Sequence, residues 1–207
     1  MSRSQYVDDK YKWPSKEAQY HSPEIWMPAE RSMISEVTTS KSNKFKFRLS
    51  EFIGDVMESE NHIAHCISAD KCLGGGIAKT INDKYNMRFL IRDLELNVTK
   101  LAAVPVDDII EIDGVQYARL IFNMVTKEKS HEMPEFSDVQ SALLSLRNYM
   151  VDYGIRNVAM PRIATGIDGL MWRTVKELIV ETFQDTDIEV DIYQLPKNER
   201  KEVRGIM

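Results

Sequence analysis

The sequence predicts an α/β fold with a mixed sheet and helices on both faces. Three observations lead there. Short aliphatic runs alternate with stretches whose apolar residues recur at helical spacing, the pattern of strand and helix units. Two glycine-bearing loops, Gly74 to Gly76 and Pro161 to Gly169, each follow a strand-like run directly. One Asp113-Gly114 pair separates two strand-like runs, which marks a hairpin in an otherwise alternating order.

Length and composition bound the reading. At 207 residues, 43% of them hydrophobic and 29% charged, the chain can bury a good core in one main domain. The net charge of -5 argues against a protein that coats nucleic acid by bulk electrostatics. No apolar run has the length of a membrane span, and the N-terminus lacks an apolar signal region. Two cysteines, Cys66 and Cys72, imply no disulfide framework and fit a reducing compartment. Their spacing, with His21, His62, His65 and His131 scattered, matches no usual zinc ligand pattern.

Residues 1–44 read as a mostly disordered extension. They hold eight serines and three prolines and no sustained apolar period. They also carry Tyr6, Tyr11, Trp13, Tyr20 and Trp26, many aromatics for a spacer, which leaves a short docking motif as the sharper alternative. The domain is expected over 45–196. Phe45, Phe47 and Leu49 alternate with polar residues as in a half-exposed strand. Ile63 to Ile67 is short enough for a buried strand. After the Gly74 to Gly76 loop, Ile77 to Ile81 opens a helix that runs to about Tyr85. Leu101 to Val106 reads as a strand whose Pro105 suits an edge. Ile109 to Ile112 and Val115 to Val125 flank the hairpin turn. Ser137 is placed to cap a helix, with Gln140 three residues on. Val139, Leu143, Leu146 and Met150 hold its spacing, and Gly154 ends it. Val158 to Met160 is a short buried strand. Val175, Leu178, Ile179 and Phe183 mark a last helix. Ile188, Val190 and Ile192 alternate in a last strand that runs out near Leu195, and 197–207 is a charged tail.

The chemistry begins in the first glycine loop. Glycines let backbone approach a ligand closely, and a helix start offers free N–H groups and a positive dipole end. Strand, glycine loop and helix start together suit a phosphate or diphosphate. A P-loop would need glycine at 73 and 78, where Leu73 and Ala78 stand; a dinucleotide fingerprint spaced from Gly74 would need glycine at 79, where Lys79 stands. In open α/β sheets ligands sit beyond the carboxyl ends of the strands, so both glycine loops are expected to line one crevice.

Ala64-His-Cys-Ile-Ser68, Gly75-Gly-Ile-Ala78, Thr126-Lys127, Ser130-His131, Met160-Pro-Arg-Ile163, Gly166-Ile-Asp168 and Trp172, in this order, resemble the macrodomain family. The resemblance spans about Phe47 to Leu195 and leaves out both tails. It is greatest to the family's ADP-ribose glycohydrolases that act on glutamate- and aspartate-linked ADP-ribose. It implies a three-layer α/β/α macrodomain with a mixed central sheet that binds ADP-ribose. By position, Asp55 and Val56 resemble the turn that takes the adenine amino group. Ser68, Gly75, Gly76, Ile77 and Ala78 resemble the first phosphate loop. Thr165, Gly166 and Ile167 resemble the second, around the diphosphate and distal ribose. Leu195 resembles an adenosine-side contact.

Lys127 and Asp168 resemble the catalytic pair. In the family the lysine attacks C1″ of the distal ribose and the aspartate resolves the adduct. An activated nucleophile with a proton carrier suffices for a glycosyl ester, which has a good leaving group. No cofactor or metal is implied. The implied partners are ADP-ribose and mono-ADP-ribosylated proteins, with poly-ADP-ribosylated ones as an extension. No direct nucleic-acid or membrane partner is implied, and the implied state is a monomer in nucleus or cytoplasm. The sequence departs from the family at Gly74-Gly-Gly76, where relatives have a Gly-Ala-Gly-like loop, and at Ala164-Thr165, where small and cysteine residues are usual.

Without the resemblance, Lys127 belongs to a solvated charge cluster and Asp168 is a plain turn residue. His65 and Cys66 cannot form a thiol dyad, because neighbours in a strand point to opposite faces. Cys66 reads as core, and Met171 and Trp172 as packing at a helix start. Two rival classes share the binding loops. One is a non-catalytic ADP-ribose reader, which needs no Lys127 and Asp168 pair. The other is a phosphatase on ADP-ribose 1″-phosphate or a deacetylase on O-acetyl-ADP-ribose.

Overall fold

Strand and helix periods in the sequence resolve into seven strands and four helices among the residues described by the computed structural model, 32–39, 46–112 and 114–196. The strands are β1 (Ser32–Thr39), β2 (Phe47–Ile53), β3 (His62–Ser68), β4 (Leu101–Ile112), β5 (Val115–Lys127), β6 (Asn157–Pro161) and β7 (Glu189–Gln194). The helices are α1 (Gly76–Tyr85), α2 (Met87–Leu90), α3 (Phe136–Tyr153) and α4 (Trp172–Phe183). One sheet runs in the order β1-β2-β7-β6-β3-β5-β4. The five inner strands are parallel, and each edge strand is antiparallel to its neighbour. A parallel sheet must be covered on both faces, so its central strands read as continuous apolar runs rather than as alternation. β5 is such a strand, buried at nearly every position from Tyr117 to Thr126.

Its alternate side chains feed two cores. Leu120, Phe122 and Met124 join Phe47, Leu49, Leu143, Leu146, Val175 and Ile179 under α3 and α4. Ile121 and Val125 join Ile63, Ile67, Leu73, Ile81, Met87 and Ile91 under α1 and α2. Each fully buried aliphatic or aromatic side chain contributes about 1.5–3 kcal/mol. The result is the three-layer α/β/α arrangement that the family resemblance implied.

Several sequence expectations change in detail. β1 lies inside the stretch read as disordered extension. It pairs along β2 from Ser32 opposite Ile53 to Thr39 opposite Phe47, so the domain begins before residue 45. Its short, largely polar sequence carries little periodicity, and pairing with β2 is what makes it a strand. The rest of 1–44, with its aromatics, and Phe45 lie outside the described residues, as do 197–207 and Asp113 of the hairpin turn. Strand pairing does join Ile112 to Val115 across that turn. The two runs at 101–106 and 109–112 form one edge strand with a register shift between Pro105 and Ile109. α3 starts at Phe136 rather than at Ser137. The extended Glu135 offers its carbonyl to the amides of Asp138 and Val139, and no side chain caps the helix. α2 follows Asn86 at φ 52, a left-handed conformation that asparagine tolerates.

Candidate functional site

Parallel pairing sends the carboxyl ends of β2, β7, β6, β3 and β5 to one edge of the sheet. In that order they deliver Asp55, Leu195, the loop before α4, the glycine loop before α1, and Lys127. Five adjacent strands span about 19 Å at about 4.8 Å each, room for an elongated ligand lying across the strand ends.

At one end of the row, β2 and β7 finish together, with Ile53 opposite Gln194 and the Gly54 amide donating to the Gln194 carbonyl at 3.1 Å. This sets Asp55 beside Leu195. Asp55 Oδ1 accepts from the Met57 amide at 2.9 Å, which caps a 3-10 turn, Val56–Glu58. Its other carboxylate oxygen has no partner among the described residues and points the residue's remaining acceptor capacity elsewhere. Val56 is buried in the core below, so its side chain is not on the ligand surface.

The first glycine loop extends the β3–β5 ladder past the strand ends. Ala69 and Asp70 amides donate to the carbonyls of Lys127 and Glu128. Asp70 then ties the two loops together. Its Oδ1 accepts from the Ser68 hydroxyl at 2.5 Å and the Cys72 amide at 3.1 Å, and its Oδ2 accepts from the Ser130 amide at 3.0 Å. Burial alone would raise this carboxyl, but these bonds and the nearby Lys129 outweigh it and lower it. Ser68 therefore has its hydroxyl turned into the loop. Leu73 is a buried anchor, and α1 begins at Gly76 with Gly75 as an N-cap that carries no side-chain bond. The first intrahelical donor is the Lys79 amide, to Gly75. The amides of Gly76, Ile77 and Ala78 thus lack helical partners, the condition for an anion at a helix start. Gly76 has φ +55, which a side chain would strain.

The second loop is closed by the Leu170 amide on the Ala164 carbonyl at 3.0 Å and by the Thr165 hydroxyl on the Arg162 carbonyl at 2.8 Å. Ala164 is buried at φ 55, where only a small side chain is tolerated. The two loops meet: a Cβ added at Gly75 would lie 2.9 Å from Ile167 Cδ1. The departure to glycine at 75 is what leaves room for Ile167 over the first loop.

Lys127 and Asp168, 41 residues apart, close on each other. Nζ donates to Asp168 Oδ1 at 2.5 Å and to the Glu132 carbonyl at 3.0 Å. Their side chains are 11% and 15% exposed, enough to be reached and too little to be freely solvated. Cys66 sits beneath them, packed against the α3–α4 core. Burial, and then the Asp168 carboxylate, push its thiol up to about 12, so it is a packing residue and no nucleophile. His65 is buried on the other face, its Nε2 2.8 Å from Asn123 Oδ1.

Glu51 is a functional-site residue that the sequence reading missed. It is 6% exposed and accepts from Arg162 at 3.0 Å, Trp172 at 2.9 Å, Ser35 at 2.5 Å, and Lys176. The guanidinium of Arg162 also lies 5.0 Å from the Trp172 ring centroid. Glu51 thereby pins both ends of the second loop to β1 and β2. A signal existed, because Glu51 continues the inward series Phe47 and Leu49. A carboxylate at an inward strand position must be paired. Trp172, read as plain packing, is also a hydrogen-bond donor here. Asp70 was likewise not singled out.

Parallel strand ends that carry two touching glycine loops and an open helix start, in a sheet covered on both faces, define a three-layer protein of the α/β class. The chain belongs to the Macro domain family, whose model matches residues 61–179. It is 32% identical over 133 residues to ADP-ribose glycohydrolase OARD1 of Homo sapiens, covering 64% of this chain and 81% of that protein. It is 30% identical over 168 residues to the Bos taurus protein of the same name, covering 81% and 97%. Among solved structures, the macrodomain of Mycobacterium tuberculosis DarG superposes with a TM-score of 0.59 at 22% identity, covering 68% of this chain and 93% of that one, a likeness of fold.

Proposed function

We propose that this protein is a hydrolase that removes ADP-ribose from glutamate and aspartate side chains of proteins. The observation that carries the reading is the Lys127–Asp168 pair, held at 2.5 Å beside the two glycine loops. Membership of the Macro domain family and similarity to proteins named ADP-ribose glycohydrolases support it. The adenine end lies by Asp55 and Leu195. The diphosphate lies over the free amides of Gly76, Ile77 and Ala78 and against Thr165 to Ile167. The distal ribose then falls beside Lys127.

In the first step the Nζ lone pair bonds to C1″ and the bond from C1″ to the ester oxygen breaks. Its electron pair leaves with the substrate carboxylate, and Asp168 takes the proton shed by Nζ. In the second step water attacks C1″ and the bond to Nζ breaks; Asp168 returns its proton to the amine, and the proton lost by the water passes to solvent, as hydrolysis of an ester to a carboxylate requires. The Glu132 carbonyl orients Nζ throughout. No net proton is consumed by the pair, and the enzyme returns to its starting state.

The test uses glutamate-linked and serine-linked ADP-ribosylated proteins, scored by release of free ADP-ribose. Lys127→Ala abolishes release from glutamate while leaving ADP-ribose affinity within a few-fold, since its role belongs to the chemical step. Asp168→Ala accumulates a covalent Lys127 adduct of ADP-ribose, visible by intact mass spectrometry and missing in the double variant. Wild-type turnover by Lys127→Ala would overturn the lysine mechanism. Binding without turnover by the unaltered protein would make it a reader.

A further inference from the structure

The three most exposed large hydrophobic side chains among the described residues are Ile167 and Met171, each 73% exposed, and Met133, 66% exposed. All three stand on the two loops that carry the Lys127–Asp168 pair. Met133 directly follows Glu132, whose carbonyl holds Lys127 Nζ. It reaches the opposite loop, with Cε 3.7 Å from the Cβ position of Gly169, the residue after Asp168. Met171 is three residues beyond Asp168. Three largely exposed apolar side chains gathered on the two loops beside one ion pair are unusual on a free surface, where exposed hydrophobics are normally scattered. Methionine suits such a rim because its flexible thioether adapts to varied partners.

We propose that Met133 and Met171, together with Ile167, form the surface on which the polypeptide carrying the ADP-ribosylated carboxylate docks. The inference rests on the hydrolase reading for the position of the distal ribose. A chain attached at C1″ must leave the crevice past the pair, and so over this rim. The surrounding charge selects the partner. From Glu128 to Asp138 the sequence carries four carboxylates and one lysine. Glu128, Glu132 and Glu135 are exposed there. Arg173 near Met171 is paired with Glu177. A nucleic-acid strand would meet repulsion on this side. A polypeptide with apolar and basic residues beside the modified glutamate meets complementary surface on both counts.

The experiment measures affinities in the Lys127→Ala protein, so that ligands survive. The probes are free ADP-ribose, a glutamate-ADP-ribosylated peptide with leucine and lysine flanks, the same peptide with serine and glutamate flanks, and an ADP-ribosylated DNA oligonucleotide. The leucine and lysine peptide binds about tenfold tighter than free ADP-ribose, the gain from burying part of two methionine side chains. Met133→Ser with Met171→Ser erases that gain and leaves the affinity for free ADP-ribose unchanged, which also shows that the variant is folded. Equal affinity for peptide and free ADP-ribose would overturn the proposal. So would a variant that weakens both alike, or a methionine-dependent gain for the oligonucleotide instead. If the affinities hold but the unaltered protein releases no ADP-ribose from the peptide, the hydrolase reading fails and the docking surface stands on a reader.

Discussion

Single buried charges set how this protein responds to pH. Glu51 is held down to about 2, because hydrogen bonds from Lys176, Ser35, Trp172 and Arg162 outweigh the burial that would raise it. Its folded value lies below the ordinary carboxylate value, so its stabilisation is present above about pH 4.5 and is lost as pH falls toward 2. His62 and His65 are depressed by burial to about 3 and about 4, and Arg119 adds to the effect at His62. An unfolded histidine takes up a proton below about 6.5 and these folded ones do not. Acid therefore favours the unfolded chain from about pH 6.5 down to about 4 through His65 and about 3 through His62, with Glu51 joining below about pH 4.5. Urea midpoints are expected to fall steadily over that window. His65→Gln lowers the midpoint at pH 7 and makes its decline shallower, by up to about 1.4 kcal/mol per pH unit. Asp55→Ala is expected to cost about 0.5–2 kcal/mol of stability for the lost cap on Val56–Glu58, and to weaken ADP-ribose binding by about 1–3 kcal/mol, read by calorimetry on folded protein.

Elements differ in how far their own residues justify them. α1 is amphipathic and caps nothing with a side chain, so its start is held by Gly76 at φ +55. Gly76→Ala is expected to cost about 1–2 kcal/mol through left-handed strain and to loosen ADP-ribose through the displaced amides. Unfolding curves and titrations on the same sample separate the two effects. β1 has no such local logic. It covers the β2 edge and supplies Ser35 to Glu51. A chain beginning at Phe45 should lose about 1.5–3 kcal/mol for the missing bond to a buried charge, and should associate through the bared edge. A chain beginning at Arg31, which keeps β1, should melt above the one beginning at Phe45 and not associate through that edge. Identical melting of the two truncated proteins would show that β1 contributes nothing.

The whole molecule places five strand ends on one edge, and a ligand spread along them touches every parallel element. ADP-ribose is therefore expected to stabilise the entire domain by mass action, by about 2.7 kcal/mol at a hundred times its dissociation constant. A thermal shift rising with ligand concentration checks this, and its absence at millimolar ADP-ribose would refute binding in the crevice. Phe122, fully buried on β5 between the His62 and Tyr149 rings, is the corresponding probe of the fold. Phe122→Ala should cost about 3–5 kcal/mol and lower stability without a separate effect on ligand affinity.

The sequence by itself determined most of the elements, though neither β1 nor α2, and marked the loops that end them. The alternation of strands and helices, the hairpin at Gly114, the left-handed end of α3 at Gly154 and the glycine loop before α1 were all legible. Each is written in local periods and turn residues, within a few positions of chain. The tertiary structure alone decided which strands are neighbours, that β1 belongs to the sheet, and that Glu51 binds four donors from β1, the second loop and α4. It alone brought Lys127 to Asp168 across 41 residues, and set Met133 against Gly169. Periodicity records which face a residue buries, whereas pairing depends on contacts between distant segments whose closure leaves no mark in either segment's own pattern.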